Sequence, residues 1–347
     1  MPSYNRIELF RFMAHLLHPT AVVNSSYFPA SQIFWDRLVQ LGSSQLVLPA
    51  IYGALKRKKL INHAPKDLVS YLQEITNLNR KRNIAILEQI DFLSNLFNKH
   101  QIEHVFLKGA AMLITKPYDV LSERMVGDID ILVSKIDLLR AQQLLIDEGF
   151  VAVSNKFNFT KDVFSENRNI HLNRISHPNY IAAVEIHRRL LLDENHLIPP
   201  KDIFENKLQS KLGKWIPKNK HLWQHAILNW QYNDSGMTRN ILAFRTVLDV
   251  LNLETKDLVS KLKTAPKLIR HFYSLLSLYY CNYKNYCPQK RKVYEWKLKY
   301  RVFDNLHSFC RNFMRFVFFG FSRLFLFLSS KIYRKRVLNN PKLLVER

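Results

Sequence analysis

The chain has 347 residues, 47% hydrophobic and 23% charged, with only 8 Gly. That is ordinary globular composition, long enough for one large or two moderate domains with a sizeable core, and it argues against glycine-rich architectures. The net charge of +24 is not ordinary: residues 261–347 carry 20 Lys/Arg against 3 Asp/Glu, which points to a polyanionic partner or an anionic membrane surface, set against the plainer reading of a solvated basic face.

Residues 5–18 read as a helix with Ile7, Phe10, Met13, Leu16 and Leu17 on one face. This segment lacks a continuous apolar stretch and a small-residue cleavage site, so no signal peptide is expected. Phe34 to Leu41 starts a second helix, and a third runs from Ser43 to Lys58, with Pro49 marking its first turn or a kink. Lys66 to Lys99 is a long helical stretch whose Asn-rich patch, around Asn77 and Asn79, suggests a bend. At Ile102 the pattern changes to short apolar runs alternating with helices. Strands are expected at Glu103–Leu107, Ile129–Val133, Phe150–Ser154, Asn169–Arg174 and Ala182–His187, and helices at Ala110–Thr115 and Ile136–Glu148, the latter closed by Gly149. This order implies an α+β unit of about five strands with helices on one face.

From Pro199 the chain turns helical again, at Lys220–Trp230, Asn240–Leu253 and Leu268–Tyr280, with Asn233-Asp234-Ser235-Gly236 as a break. Four regions follow: 1–100 helical, 101–198 the α/β core, 199–285 helical and packed on that core, and 286–347 a basic, aromatic-rich helical extension. No uninterrupted apolar run reaches the roughly 18 residues of a membrane span. In the extension, phenylalanines between Phe313 and Phe327 are broken by Arg315, Gly320 and Arg323. They read first as a terminal helical hairpin packed into a core. As a functional surface they suit an interfacial helix in preference to single-stranded nucleic acid. Cys281, Cys287 and Cys310 fit no zinc spacing and read as structural thiols of a reducing compartment, with no disulfide partner.

The chemistry concentrates between His104 and Val133. Asp128 and Asp130 are two apart on a strand and so share a face, with Ile129 and Ile131 on the other. Same-face carboxylates are hard oxygen ligands suited to Mg²⁺ beside a phosphate. A lone Asp-x-Asp is weak evidence, because most such pairs are solvated. Two further features strengthen it. Glu185 and His187 share a face of a second strand, opposite Val184 and Ile186, and Glu185 can supply a third carboxylate. Upstream, Lys108-Gly109 follows an apolar strand, and glycine lets backbone amides approach a phosphate.

Other residues carry plainer readings beside functional ones. Arg124 is either a loop charge or a partner of the carboxylates or a phosphate. His187 and His171 read as hydrogen-bonded sheet residues. His221 and His225 have zinc-compatible spacing without the glutamate of a metalloprotease, and read as structural or as the rim of a substrate site. Asp249 reads as a buried carboxylate satisfied by Arg245 or His225. G-x-G-x-x-G, Walker A and serine-elbow patterns do not occur.

Leu107-Lys108-Gly109-Ala110-Ala111, Tyr118, Arg124, Asp128-Ile129-Asp130-Ile131-Leu132-Val133, Glu148-Gly149-Phe150, Val184-Glu185-Ile186-His187, and the helix pair with His225 and Asp249 together resemble the uncharacterised nucleotidyltransferase family of the DNA polymerase β-like superfamily, over about residues 30 to 255. The resemblance implies a minimal nucleotidyltransferase fold and Mg²⁺- or Mn²⁺-dependent transfer of NMP from an NTP to an acceptor such as a small molecule, sugar, peptide or RNA. It implies Asp128, Asp130 and Glu185 as metal and catalytic residues, with Glu185 as general base or second metal ligand. Lys108, Gly109, Ala110 and Arg124 would contact the nucleotide, and His187, His225 and Asp249 would stand behind them. Gly109-Ala110 departs from the superfamily's usual Gly-Ser or Gly-Gly, and the interval to Asp128 is longer than common. The alternative is a catalytically weak protein of this fold that grips nucleic acid or an anionic membrane through its basic C-terminal region. A cytoplasmic location is expected, free or peripheral on a membrane.

Overall fold

The computed structural model describes residues 6–21, 32–153, 170–191, 195–234, 236, 242–280, 282–339 and 341. The expected strand end at Ser154, strand start at Asn169, break at Ser235, helix start at Asn240, and Cys281 lie outside these residues.

Three helices, α1 (Arg6–Leu17), α2 (Gln32–Ser44) and α3 (Leu48–Arg57), lead into a 34-residue helix, α4 (Lys66–Lys99). Pro49 sits in the first turn of α3, where its missing N–H costs nothing. The apolar periodicity of α4 buries Leu72, Ile86, Ile90, Leu93 and Phe97. The same buried side also carries Asn79, Asn83 and Gln89, and here the polar patch does not interrupt the helix. It grips other segments instead, as described below.

The α/β unit holds β1 (His104–Phe106), α5 (Lys108–Thr115), β2 (Asp128–Val133), α6 (Leu138–Asp147), β3 (Val151–Ala152), β4 (Ile175–Ser176) and β5 (Ala183–His187). They form one mixed sheet of order β1-β2-β5-β4-β3, with β2 and β5 parallel and the other pairs antiparallel. This is the α+β architecture with helical flanks that the sequence implies. One strand differs. His171 makes only an isolated bridge to His187, and regular pairing resumes at Ile175 opposite Val184. From His171 to Ile175 is four steps but from His187 to Val184 three, so one extra residue breaks the expected Asn169–Arg174 strand, as in a bulge.

Ile129, Ile131, Val133, Val184 and Ile186 point from the sheet into the main core, which also takes in α1 to α4 and the helices that follow the sheet. On the opposite face Leu132 joins Val105, Leu107, Leu190, Leu191 and Leu228 in a smaller cluster. The candidate residues share this second face.

Beyond the sheet come α7 (Pro200–Glu205), the β6–β7 ribbon (Leu208–Gln209 and Trp215–Ile216), α8 (Asn219–Tyr232), α9 (Phe244–Leu253), α10 (Lys256–Ser260), α11 (Lys267–Leu276), α12 (Pro288–Lys299), α13 (Arg301–Ser329) and α14 (Lys331–Asn339). The α13–α14 hairpin forms as expected but is not packed into a core. Phe313, Phe316, Phe318, Phe321 and Phe325 are all exposed, although α14 folds back on α13. By length and composition α13 is long and apolar enough to cross a membrane. Cys310, expected to be structural, lies exposed on the same helix, and Cys287 is half-buried; both are free thiols.

Candidate active site

The site begins with a register. Strands β2 and β5 pair in parallel with Asp128 opposite Ala183, Asp130 opposite Glu185 and Leu132 opposite His187. Paired residues of neighbouring strands project to the same face, so Asp128, Asp130, Glu185 and His187 gather on one side. Ligand atoms of Asp130, Glu185 and His187 all lie within 4.8 Å of one another. Asp130 and His187 are buried and Glu185 is nearly so. Asp128 stands at the open end of β2, its side chain 36% exposed, 3.8 Å from Arg174.

Helix α4 holds both strands in place. Asn79 donates to the carbonyls of Ser122 (2.6 Å) and Arg124 (3.2 Å), and Asn83 to those of Leu121 (2.7 Å) and Arg124 (2.9 Å). Arg82 donates to the carbonyls of Val126 and Gly127, each at 3.1 Å. These bonds fix the segment that feeds β2. Further along, Gln89 donates to Ala182 O (2.8 Å) and accepts from Ala182 N (3.1 Å), which fixes the start of β5. A buried amide side chain requires such partners, and here they set the position of the carboxylates.

Lys108 enters from the end of β1. The Leu107 amide bonds to Asp130 O at 2.9 Å, which locks the chain over β2 just before Lys108. Lys108 has φ +45°, a left-handed conformation unusual for a residue with a Cβ. The expected special residue, Gly109, is instead an ordinary residue of the first turn of α5, and its smallness has another cause: a Cβ there would come within 3.0 Å of Val126. Leu107, the N-cap, offers no side-chain acceptor, so the first amides of α5, at Lys108, Gly109 and Ala110, are available to a bound anion.

Asp130 Oδ1 accepts from Lys108 Nζ and from His187 Nε2, both at 2.7 Å. Burial would raise the Asp130 carboxyl, but the Lys108 charge and the His187 hydrogen bond hold it far below its ordinary range. Burial likewise works against Glu185, and is outweighed by its interactions with His187 and His171, so its pKa also falls. Asp128 moves the other way, raised by burial and by the charges of Asp130 and Glu185. Burial disfavours the Lys108 ammonium, yet the surrounding carboxylates, Asp130 first, raise its pKa. The site is therefore a negative pocket with one lysine holding it together.

A narrow cleft of about 80 Å³ opens over these groups. Lys108, Gly109, Asp128 and Asp130 form one wall, and Arg124, His225, Arg245 and Asp249 are among the residues of the other. Two expectations fail there. Asp249 is not held by Arg245 or His225. It accepts from Arg124 Nε (2.7 Å) and Nη2 (2.8 Å) and from the Tyr118 hydroxyl. Arg124, with its Nη1 on Met125 O, is thus engaged in a structural clamp between the loop before β2 and α9. Arg245, one helical turn before Asp249, lines the cleft and makes no hydrogen bond or ion pair among the described residues. Burial and the neighbouring Arg124 charge lower its pKa.

His225 is buried with no partner on Nε2, and burial followed by the Lys108 and His187 charges lowers its pKa to about 3. Zinc binding with His221 gains no support, since the one group of three potential metal ligands among the described residues is Asp130, Glu185 and His187. His187, read from sequence as a sheet residue, belongs to that group. The signal was present in its shared face with Glu185; its partner, 57 residues away, was not.

The sequence profile of the uncharacterised nucleotidyltransferase family matches residues 31–234, more than half of the chain. The chain belongs to this family. The match runs from the start of α2 to the end of α8 and includes Lys108, Gly109, Asp128, Asp130, Glu185 and His187. No curated protein and no solved structure matches the chain. Arg245 and Asp249 lie beyond the matched stretch, so in this member of the family the second wall of the cleft is completed from outside it.

Proposed function

We propose that the chain transfers an NMP group from an NTP to an acceptor hydroxyl or amine, with a divalent cation at Asp130. The observation that carries this is the β2–β5 register, which sets Asp130 against Glu185 with Lys108 and the uncapped start of α5 beside them. Two carboxylates and an imidazole within 4.8 Å form a donor set that suits Mg²⁺ or Mn²⁺, the imidazole favouring Mn²⁺. Asp130 and His187 would hold it, with Asp128 at the entrance and Glu185 beside them. When bound, such an ion neutralises charge that builds on the phosphate oxygens.

In this reading the acceptor oxygen or nitrogen attacks the α-phosphorus, the bond from that phosphorus to the bridging oxygen breaks, and pyrophosphate leaves. Glu185, held ionised by its neighbours, takes the acceptor proton. The first amides of α5 and the Lys108 ammonium contact the leaving phosphates. Arg245 supplies the unengaged cation of the opposite wall, the role expected of Arg124. The assembled carboxylates favour an enzyme over a purely binding use of the fold. The test is incubation with α-labelled NTPs, Mg²⁺ or Mn²⁺ and pooled acceptors, beside metal-dependent NTP binding by calorimetry. Label transfer lost in Asp130→Asn supports the reading. Neither transfer nor metal-dependent NTP binding by the native chain would overturn it.

A further inference from the structure

Helix α13 (Arg301–Ser329) keeps its aromatic side outside the core: Phe313, Phe316, Phe318, Phe321 and Phe325 are 58–70% exposed. At 100° per residue, Phe309, Phe313, Phe316, Phe321, Leu324 and Leu328 fall on one broad side of the helix. Asp304, Ser308, Arg311 and Arg323 fall on the other, with Phe318 and Phe319 among them. That polar side is the one tied to protein. Asp304 pairs with Arg6 (2.7 Å) and Lys297 (3.4 Å). Arg323 stacks over Phe319 at 4.8 Å and donates to the Tyr333 hydroxyl at 3.3 Å, on α14. The usual orientation of an amphipathic helix is reversed, with its apolar side turned away from the chain.

The surface continues onto the end of α12. Trp296 and Tyr300 are exposed beside Val302 and Leu306, around a shallow apolar groove. Lys292 lies over the Trp296 ring at 5.3 Å and Lys299 over the Tyr300 ring at 5.4 Å. Aromatic rings capped by lysines suit the boundary between hydrocarbon and charged headgroups. Residues 288–339 hold 13 Lys/Arg against 2 Asp/Glu, and one of those acids, Asp304, is already neutralised. Two copies of this face packed together would bring two strongly basic collars into contact. An anionic bilayer matches both the apolar side and the charge.

The helix would lie in the surface and not cross it. A crossing helix would carry α14 through the hydrocarbon, with Lys331, Arg334 and Lys335. Yet α14 folds back on α13, and Arg334 donates to the carbonyls of Phe327 (3.0 Å) and Leu328 (2.8 Å). The arginines of α13 would also enter the apolar layer.

We propose that α12 and α13 dock this protein on an anionic lipid surface, with α13 lying in the headgroup plane and its phenylalanine side in the acyl boundary. The test is sedimentation of the full chain with vesicles of phosphatidylcholine alone, or with about a third phosphatidylglycerol, near physiological salt. Binding is expected only with the anionic vesicles, and should weaken by at least about tenfold in the double variant Phe316→Asp/Phe321→Asp. Both side chains are about two-thirds exposed, so the variant should keep the native circular dichroism and melting temperature. Alkaline carbonate should release the bound protein. Failure to sediment with anionic vesicles, or equal binding by the double variant, overturns the proposal. Carbonate-resistant retention overturns the in-plane orientation.

Discussion

Two cation–carboxylate pairs line the cleft and are built to opposite ends. In the first, Arg124 and Asp249 meet through two parallel hydrogen bonds, and Tyr118 and the Met125 carbonyl complete their shells. Both charges of that pair are matched within the protein. In the second, Lys108 and Asp130 meet through one bond amid three more ionisable groups, Asp128, Glu185 and His187. That pair is over-supplied with negative charge, and Lys108 is the monovalent group balancing it. The Arg124 pair holds the loop before β2 against α9. In the proposed reading the Lys108 pair accepts a divalent cation. Similar pairs by distance thus differ in function because of how completely their neighbours satisfy them.

The comparison breaks most sharply if one carboxylate is neutralised on each side. Asp130→Asn should cost the largest factor, on the order of 10³ in NMP transfer, since several kcal/mol of charge stabilisation disappear. Its loss of stability should be modest, because the amide oxygen can still accept from Lys108 and His187 while Asp128 and Glu185 still face the lysine. Asp249→Ala should do the reverse, lowering stability in urea by about 3–5 kcal/mol because a buried guanidinium loses its partner. Paired urea titrations and label-transfer assays on both variants check this. Equal loss of stability in the two would refute the division of roles.

The residues that share the cleft differ in how far the chain alone exposes them. Period-2 alternation shows that Asp128 and Asp130 share a face, and that Glu185 and His187 do. It cannot show that the two faces are one, because the β2–β5 register is a non-local pairing set by packing. The Lys108–Asp130 pair spans 22 residues and lay within reach of a local motif. The Arg124–Asp249 pair spans 125, so the sequence offers Arg124 to the nucleotide and Arg245 or His225 to Asp249. A polar residue on an apolar helix face has the same local signature whether it bends the helix or grips another segment. Asn79 therefore reads as a bend in the sequence, and its partners at Ser122 and Arg124 are brought to it only by the fold. The amphipathic pattern of α13 was legible, but periodicity does not say whether a core covers the apolar side.

Arg245→Gln sharpens the contrast, since its guanidinium is the cation on this wall that the protein leaves unengaged. It should raise the KM for NTP by about 10- to 100-fold, the value of a charged hydrogen bond, with little change in unfolding. A rise in KM smaller than threefold would leave the opposite wall without a phosphate contact.

His225 tests the same wall by pH. Its pKa is lowered to about 3 from 6.5, so between these values the unfolded chain binds a proton that the folded chain does not. Stability therefore falls as pH drops through that window, by about 2 kcal/mol at pH 5 from this group alone. His225→Asn should flatten that part of the stability–pH curve measured by urea unfolding from pH 7 to 5, whereas an unchanged slope would assign the acid loss to other groups.

The smallest effect should come from Tyr118→Phe. The hydroxyl donates to an Asp249 oxygen that also accepts from Arg124, and the ring is buried. Its removal leaves Asp249 with both guanidinium bonds and creates no unpaired donor, so the loss should be about 1 kcal/mol in stability with NMP transfer unaltered. If Asp249 instead fails to hold Arg124 without the hydroxyl, the freed guanidinium becomes a second cation on the cleft wall. The variant would then show a changed KM for NTP beside a stability loss nearer that of Asp249→Ala, so one substitution read by urea unfolding and steady-state kinetics decides whether the clamp is a pair or a triad.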